Sequence, residues 1–128
     1  MRTKVIVVLL TAFVSAALFA QDFPKKVVFN HLTSQNGLPN NSVQSVAQDK
    51  QGLIWISTTE GLCRFDGVRT KVYVPEQDNP NSLSNNNAIG LLTDKDGNIW
   101  IGTDYWINRF DPVKDSFHLF YAGQRHNR

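Results

Sequence analysis

Apolar and polar residues alternate in short bursts along most of this chain. Residues 43–48 carry Val43 and Val46-Ala47 between polar neighbours, a spacing that predicts a half-buried strand. Residues 53–57 form the most hydrophobic burst and suit the buried middle of a small sheet. Residues 62–65 and 69–74 follow, the latter half exposed. The breaks between them are turns. Asp49-Lys50-Gln51-Gly52 ends on a glycine able to take φ > 0, and Asp66-Gly67 is a two-residue hairpin signal. A loop over 75–87, dense in Pro, Asn and Ser, leads to further strands at 89–93, 99–102, 106–110 and 116–121. The pattern predicts two four-stranded antiparallel meanders, preceded by one lone strand at 26–30.

The two meanders are copies. Asp49-Lys50-Gln51-Gly52-Leu53-Ile54-Trp55-Ile56-Ser57-Thr58 returns as Asp94-Lys95-Asp96-Gly97-Asn98-Ile99-Trp100-Ile101-Gly102-Thr103, an offset of 94 − 49 = 45. The offset persists through Arg64-Phe65-Asp66 and Arg109-Phe110-Asp111, and upstream through Leu38 and Leu83. A repeat of this length, built of short strands, signals β-propeller blades. The expected fold is all-β: a partial propeller of two four-stranded blades plus one N-terminal strand. Blade 1 covers 37–81, blade 2 covers 82–121, strand and linker 26–36, and a tail 122–128. Propellers close with 4–8 blades, so two alone leave edges and faces open and predict a marginally stable or aggregation-prone polypeptide.

The first stretch follows another rule. Arg2 and Lys4 precede an almost wholly apolar run from 5 to 20, the plan of a secretory signal peptide over 1–20. That run is shorter than the roughly 20 residues a spanning helix needs. Gln21, rather than Cys, follows it, which argues against a lipid anchor. Export implies a periplasmic protein. Without Arg2 and Lys4, 13 − 2 = 11 basic residues balance 11 acidic ones, and no basic patch argues for nucleic acid. Cys63 is the only cysteine, so no intrachain disulfide staples the fold.

Gly37-Leu38-Pro39-Asn40-Asn41-Ser42-Val43, Gly52-Leu53-Ile54-Trp55-Ile56-Ser57-Thr58, Gly61-Leu62 and Arg64-Phe65-Asp66-Gly67 together resemble the two-component regulator propeller repeat. The second copy, 94–111, resembles it too, except that Trp106 replaces Gly61 and changes the turn before the third strand. The resemblance covers roughly 29–121. It implies the N-terminal periplasmic sensor region of a Bacteroidetes hybrid two-component receptor. Such a receptor resembles a pair of large propellers followed by a membrane helix and a histidine kinase, and usually controls glycan use. No kinase phospho-acceptor box, nucleotide-binding motif or second hydrophobic span occurs here, so the resemblance implies a fragment that works within a whole receptor. The implied partners are an oligosaccharide and the remaining blades. A homodimer is allowed, and the membrane would be reached only through a downstream helix.

Individual residues divide into scaffold and candidate site. Trp55 and Trp100 read as packing between blades, and Gly52 and Gly97 as turn residues. Asp94-Lys95-Asp96-Gly97-Asn98 lacks the ligand run of a calcium loop, and the first copy has Gln51 in place of Asp96, so Asp49 and Asp94 read as turn caps. His31, His118 and His126 have no metal spacing, and no cofactor is expected. The loops differ. In a four-stranded blade the turn between strands two and three opens on the same end as the connection between blades. That end would carry Glu60, Asp104 and Tyr105, with Asp78 and Asn79 from the connection. Carboxylates, amides and an aromatic ring suit oligosaccharide recognition, and binding residues gather on loops held by rigid scaffolds.

The expected function is therefore a non-catalytic, periplasmic ligand-sensing propeller segment, with glycan breakdown products as ligand. An exported protein-interaction platform is the alternative, because fold alone does not settle function. A propeller enzyme would need acid and base groups converging in one funnel, and no such set stands out.

Overall fold

The computed structural model describes residues 29–120. The expected signal peptide, the tail 122–128, Tyr121 and most of the lone strand at 26–30 lie outside them. Phe29 and Asn30, the described part of that strand, carry no strand pairing.

Eight strands form: β1 (Val43–Gln48), β2 (Ile54–Thr58), β3 (Gly61–Phe65), β4 (Thr70–Tyr73), β5 (Ala88–Thr93), β6 (Ile99–Thr103), β7 (Ile107–Asp111) and β8 (Ser116–Phe120). They make two antiparallel four-stranded sheets in simple order, β1-β2-β3-β4 and β5-β6-β7-β8. The partial-propeller expectation therefore holds, and boundaries move by a residue or two for local reasons. Leu53 stays in its turn because its N–H donates to Asp49 Oδ1 at 3.0 Å. Trp106 stays out of β7 because its carbonyl accepts from Thr103 N and its own N–H donates to Thr103 Oγ1. A bulge between Val43 and Ser45 recurs between Ala88 and Gly90. Such a bulge bends its strand and increases local twist.

The turns repeat as closely as the strands. Asp49 Oδ1 accepts from the N–H of Gln51 and of Leu53, while Oδ2 accepts from Trp55 Nε1 at 2.8 Å. Asp94 does the same for Asp96, Asn98 and Trp100, the last also at 2.8 Å. One carboxylate thus folds the turn and fixes the ring that follows it. The indole and the Asn98 amide hold the Asp94 carboxyl well below the usual carboxylate range. Gly52 and Gly97 sit at φ 85° and 80°, where an L-residue is strained.

The core lies between the sheets. Trp55, Leu62 and Tyr73 from the first meet Leu83 from the connection and Ala88, Ile99, Ile101, Phe110 and Phe117 from the second. Trp55 is fully buried, stacked on Tyr73 at 5.7 Å and edge-on to Phe110 at 4.6 Å. Burying an indole of this size stabilises the fold by about 4–6 kcal/mol as an upper figure. A smaller cluster of Leu38, Ile56 and Cys63 covers the far side of the first sheet, with Leu32 and Ile54 packed against it. Burial pushes the Cys63 thiol up to about 11, consistent with a packing role.

Candidate functional site

β1 and β5 run side by side in the same direction. Leu91 N donates to Ser45 Oγ and Thr93 Oγ1 donates to the Gln48 carbonyl, so side-chain bonds link the two sheets at these strands in parallel order. Val43 pairs with Thr58, and Ala88 with Thr103, so both β2 and β6 end where β1 and β5 begin. Leu62 pairs with Tyr73, so β4 ends there as well. The β2–β3 turn, the β6–β7 turn and the connection 74–87 therefore leave from one end, as expected.

Within that end the candidate residues separate into three places. Asp104 and Tyr105 form the tip of the β6–β7 turn. Asn87 Nδ2 donates to Asp104 Oδ1 and Oδ2, both at 3.0 Å, and Tyr105 is 73% exposed. The Asn87 Oδ1 is buried and finds no donor among the described residues. Glu60 is exposed on the neighbouring turn, where its backbone N–H donates to Thr58 Oγ1. Asp78 and Asn79 sit elsewhere. Asp78 takes a left-handed φ of 63°, and Asn79 Nδ2 donates to Glu76 Oε2 at 2.7 Å. Their loop is tied to β8 by Phe117 N donating to the Asn81 carbonyl at 2.8 Å. Among the described residues, no hydrogen bond or ion pair joins these three places.

Asn79 instead lines a cleft of about 160 Å³ between the outer strands, with Lys71, Tyr73, Glu76 and Asp115. At its wall, Asp115 of the second sheet accepts from three groups of the first. Tyr73 Oη donates at 2.7 Å, Arg64 Nη1 lies at 3.4 Å, and Lys71 Nζ completes the set. Burial alone would raise the Asp115 pKa, but Lys71, Tyr73 and Arg64 outweigh it and hold it below its usual range. Burial, and then the bond to Asp115, pushes the Tyr73 phenol up.

Neither Asn87 nor Asp115 stood out in the sequence. Asn87 closes a polar loop and aligns with Ser42. Asp115 lies in a turn two residues longer than its counterpart, because Tyr73 pairs with Leu62 while Phe120, not His118, pairs with Ile107. That loss of the 45-residue register after Asp111 was the one available signal. Trp55 packs between the sheets, whereas Trp100 lies only partly buried on the face of the second sheet turned away from the first. No group of three or more His, Cys, Asp or Glu side chains converges on a metal position among the described residues.

The two-component regulator propeller family matches the chain twice, over residues 37–60 and 82–105. Over 73 residues the chain is 38% identical to histidine kinase P4 of Formosa agariphila, a match covering 57% of this chain and 5% of that protein. Among solved structures it is similar to the extracellular domain of a hybrid two-component system of B. thetaiotaomicron. That match is 37% identical with a TM-score of 0.64, over 71% of this chain and 13% of the other. The extracellular domain of a second such system from the same organism matches at 31% identity and a TM-score of 0.52, over 60% and 11% of the two chains. The chain thus spans a small part of the relatives it matches. It carries two repeats of the two-component regulator propeller family, one in each four-stranded sheet.

Proposed function

We propose that this chain is part of the periplasmic ligand-sensing propeller of a two-component receptor, and that the loop end built around Asn87, Asp104 and Tyr105 contacts the ligand. The similarity to extracellular domains of two-component systems supports the sensor role. One observation carries the site. In a repeat, what recurs serves the scaffold, and these three positions do not recur: their counterparts are Ser42, Thr59 and Glu60. The departure places a carboxylate, the amide that holds it and an exposed ring on one loop end. Hydroxyl donors and an apolar ring face are what a sugar offers, so glycan breakdown products are the proposed ligand class. Glu60 adds a second carboxylate on the neighbouring turn. Asn79 contributes only through the outer cleft, which Asp78 does not line.

The test is calorimetric titration of defined oligosaccharides into the receptor that contains this chain, with Asp104→Ala and Tyr105→Ala beside the parent. Each variant is expected to weaken binding at least about tenfold, the scale of one lost charged hydrogen bond or one aromatic contact. Unchanged affinity in both variants removes the assignment. A second reading, an exported interaction platform, draws on the apolar face of the second sheet, where Leu92 is 64% exposed.

A further inference from the structure

The cleft between β4, β8 and the connection, about 160 Å³, exceeds by roughly tenfold the 15 Å³ or so that one water needs. Packing of the sheets does not require the charges around it. Tyr73 and Phe117 already meet edge to face at 5.3 Å, and Trp55 meets Phe110 at 4.6 Å. The longer β7–β8 turn adds charge instead. It holds Asp115 at a left-handed φ of 52° and brings it to Lys71 and Tyr73.

The polar groups of the cleft divide into those already used and those left over. Asp115 is used: Oδ1 accepts from Tyr73 and Arg64, and Oδ2 from Lys71. Lys71 gives one of its three donors to that bond and stays half-exposed. Two cations against one carboxylate leave this wall positive. On the connection, Glu76 Oε2 accepts from Asn79, and Oε1 has no partner among the described residues. The Asn81 side-chain amide is likewise unpartnered there, although its carbonyl accepts from Phe117 N. Val74 and Leu83 supply apolar lining.

We propose that this cleft is a second binding site, for a small zwitterion: an amino acid or dipeptide whose carboxylate meets Lys71 and whose ammonium meets Glu76. Asn81 carries both a donor and an acceptor and serves either end. The inference is independent of the loop-end reading, because Asn87, Asp104 and Tyr105 do not line the cleft. A ligand with only a negative charge would meet Glu76 as a like charge, and one with only a positive charge would meet Lys71. A neutral sugar would desolvate both charges and return hydrogen bonds charged at one partner alone, weaker than those of an ion pair. A ligand carrying both charges is complemented at both places, and an aliphatic side chain would cover Val74 and Leu83.

The test is NMR titration of the full chain with L-leucine and with glycyl-leucine, beside leucinamide, N-acetyl-leucine and methyl glucoside. At least one of the two zwitterions is expected to shift the backbone amide signals of Lys71, Glu76 and Asn81 to saturation. The other three probes lack one charge or both, and each should bind at least about tenfold more weakly, the scale of one lost charged hydrogen bond. Glu76→Gln, a change on an exposed loop, should weaken the zwitterion to a similar extent and leave N-acetyl-leucine no weaker. Absence of a saturable shift with both zwitterions overturns the proposal. So does a parental affinity in Glu76→Gln. Methyl glucoside binding as tightly as the zwitterion would make the cleft a sugar subsite, and equal binding of N-acetyl-leucine or leucinamide would make it a single-charge site; each of these also overturns it.

Discussion

Trp55 and Trp100 occupy the same place in two copies of one sheet, make the same 2.8 Å bond to an aspartate, and end in different surroundings. Trp55 is fully buried because the second sheet lies over it. Among the described residues, the rings and cations beside Trp100 are its own sheet's Phe120 and Arg109, and it stays only partly buried. The repeat therefore determines where a ring points, and the neighbouring repeat determines what burying it contributes. The two loop ends teach the converse. They share a scaffold, yet Asn87, Asp104 and Tyr105 stand where Ser42, Thr59 and Glu60 stand in the first sheet, so chemistry can change without disturbing the strands.

The comparison can be broken most directly at the tryptophans. Trp55→Ala is expected to destabilise the chain by about 3–5 kcal/mol, the usual cost of emptying an aromatic site in a core. Trp100→Ala should cost less than half as much. Urea midpoints of the two variants measure the ratio, and equal losses would mean that the second sheet's face is covered in solution.

A finer contrast lies in the turn glycines. Gly52→Ala and Gly97→Ala each force a side chain into the left-handed region, at about 1–2 kcal/mol. A Cβ at Gly52 meets nothing closer than Gln48 Nε2 at 3.7 Å, whereas one at Gly97 lies 2.8 Å from the Lys50 side chain. Gly97→Ala should therefore lower the thermal midpoint more than Gly52→Ala. Lys50→Ala in the same chain should narrow the gap only in part, since it removes the Cγ and Cδ contacts but keeps the Cβ, the atom that lies closest.

Between the sheets, Tyr73→Phe removes one hydrogen bond to Asp115 and keeps the ring stacking, for an expected loss of about 1 kcal/mol. Asp115 also gives the contact a pH dependence. Its folded pKa is depressed, so its contribution is complete above the ordinary carboxylate range of roughly pH 4 and is lost as pH falls through the lower folded value. Asp94 acts with the same sign. Acid titration of stability should be shallower in Asp115→Asn than in the parent. Identical acid profiles would show that Asp115 titrates alike in the folded and unfolded chains.

Most of the architecture was readable in advance because it is local and repeated. Alternation located the strands, Asp and Gly located the turns, and a constant offset of 45 between Trp55 and Trp100 identified two copies of one unit. The turn aspartates were read as caps, and that is what they are. Their second oxygen's bond to the indole was not visible, because it joins residues six apart only once the turn has folded. The site was less readable. Sequence could place Glu60, Asp104, Tyr105, Asp78 and Asn79 on one end, since strand order alone decides that. Only the tertiary structure could part Asn79 from Asp104 and bring Asn87 to Asp104 across 17 residues. Likewise it alone carried Asp115 to Arg64, 51 residues away. Short-range rules follow from backbone sterics and hydrogen bonding within a few residues, and a sequence states them directly. Which side chains meet across two sheets depends on the angle and spacing at which those sheets pack, and that is decided by the whole core at once.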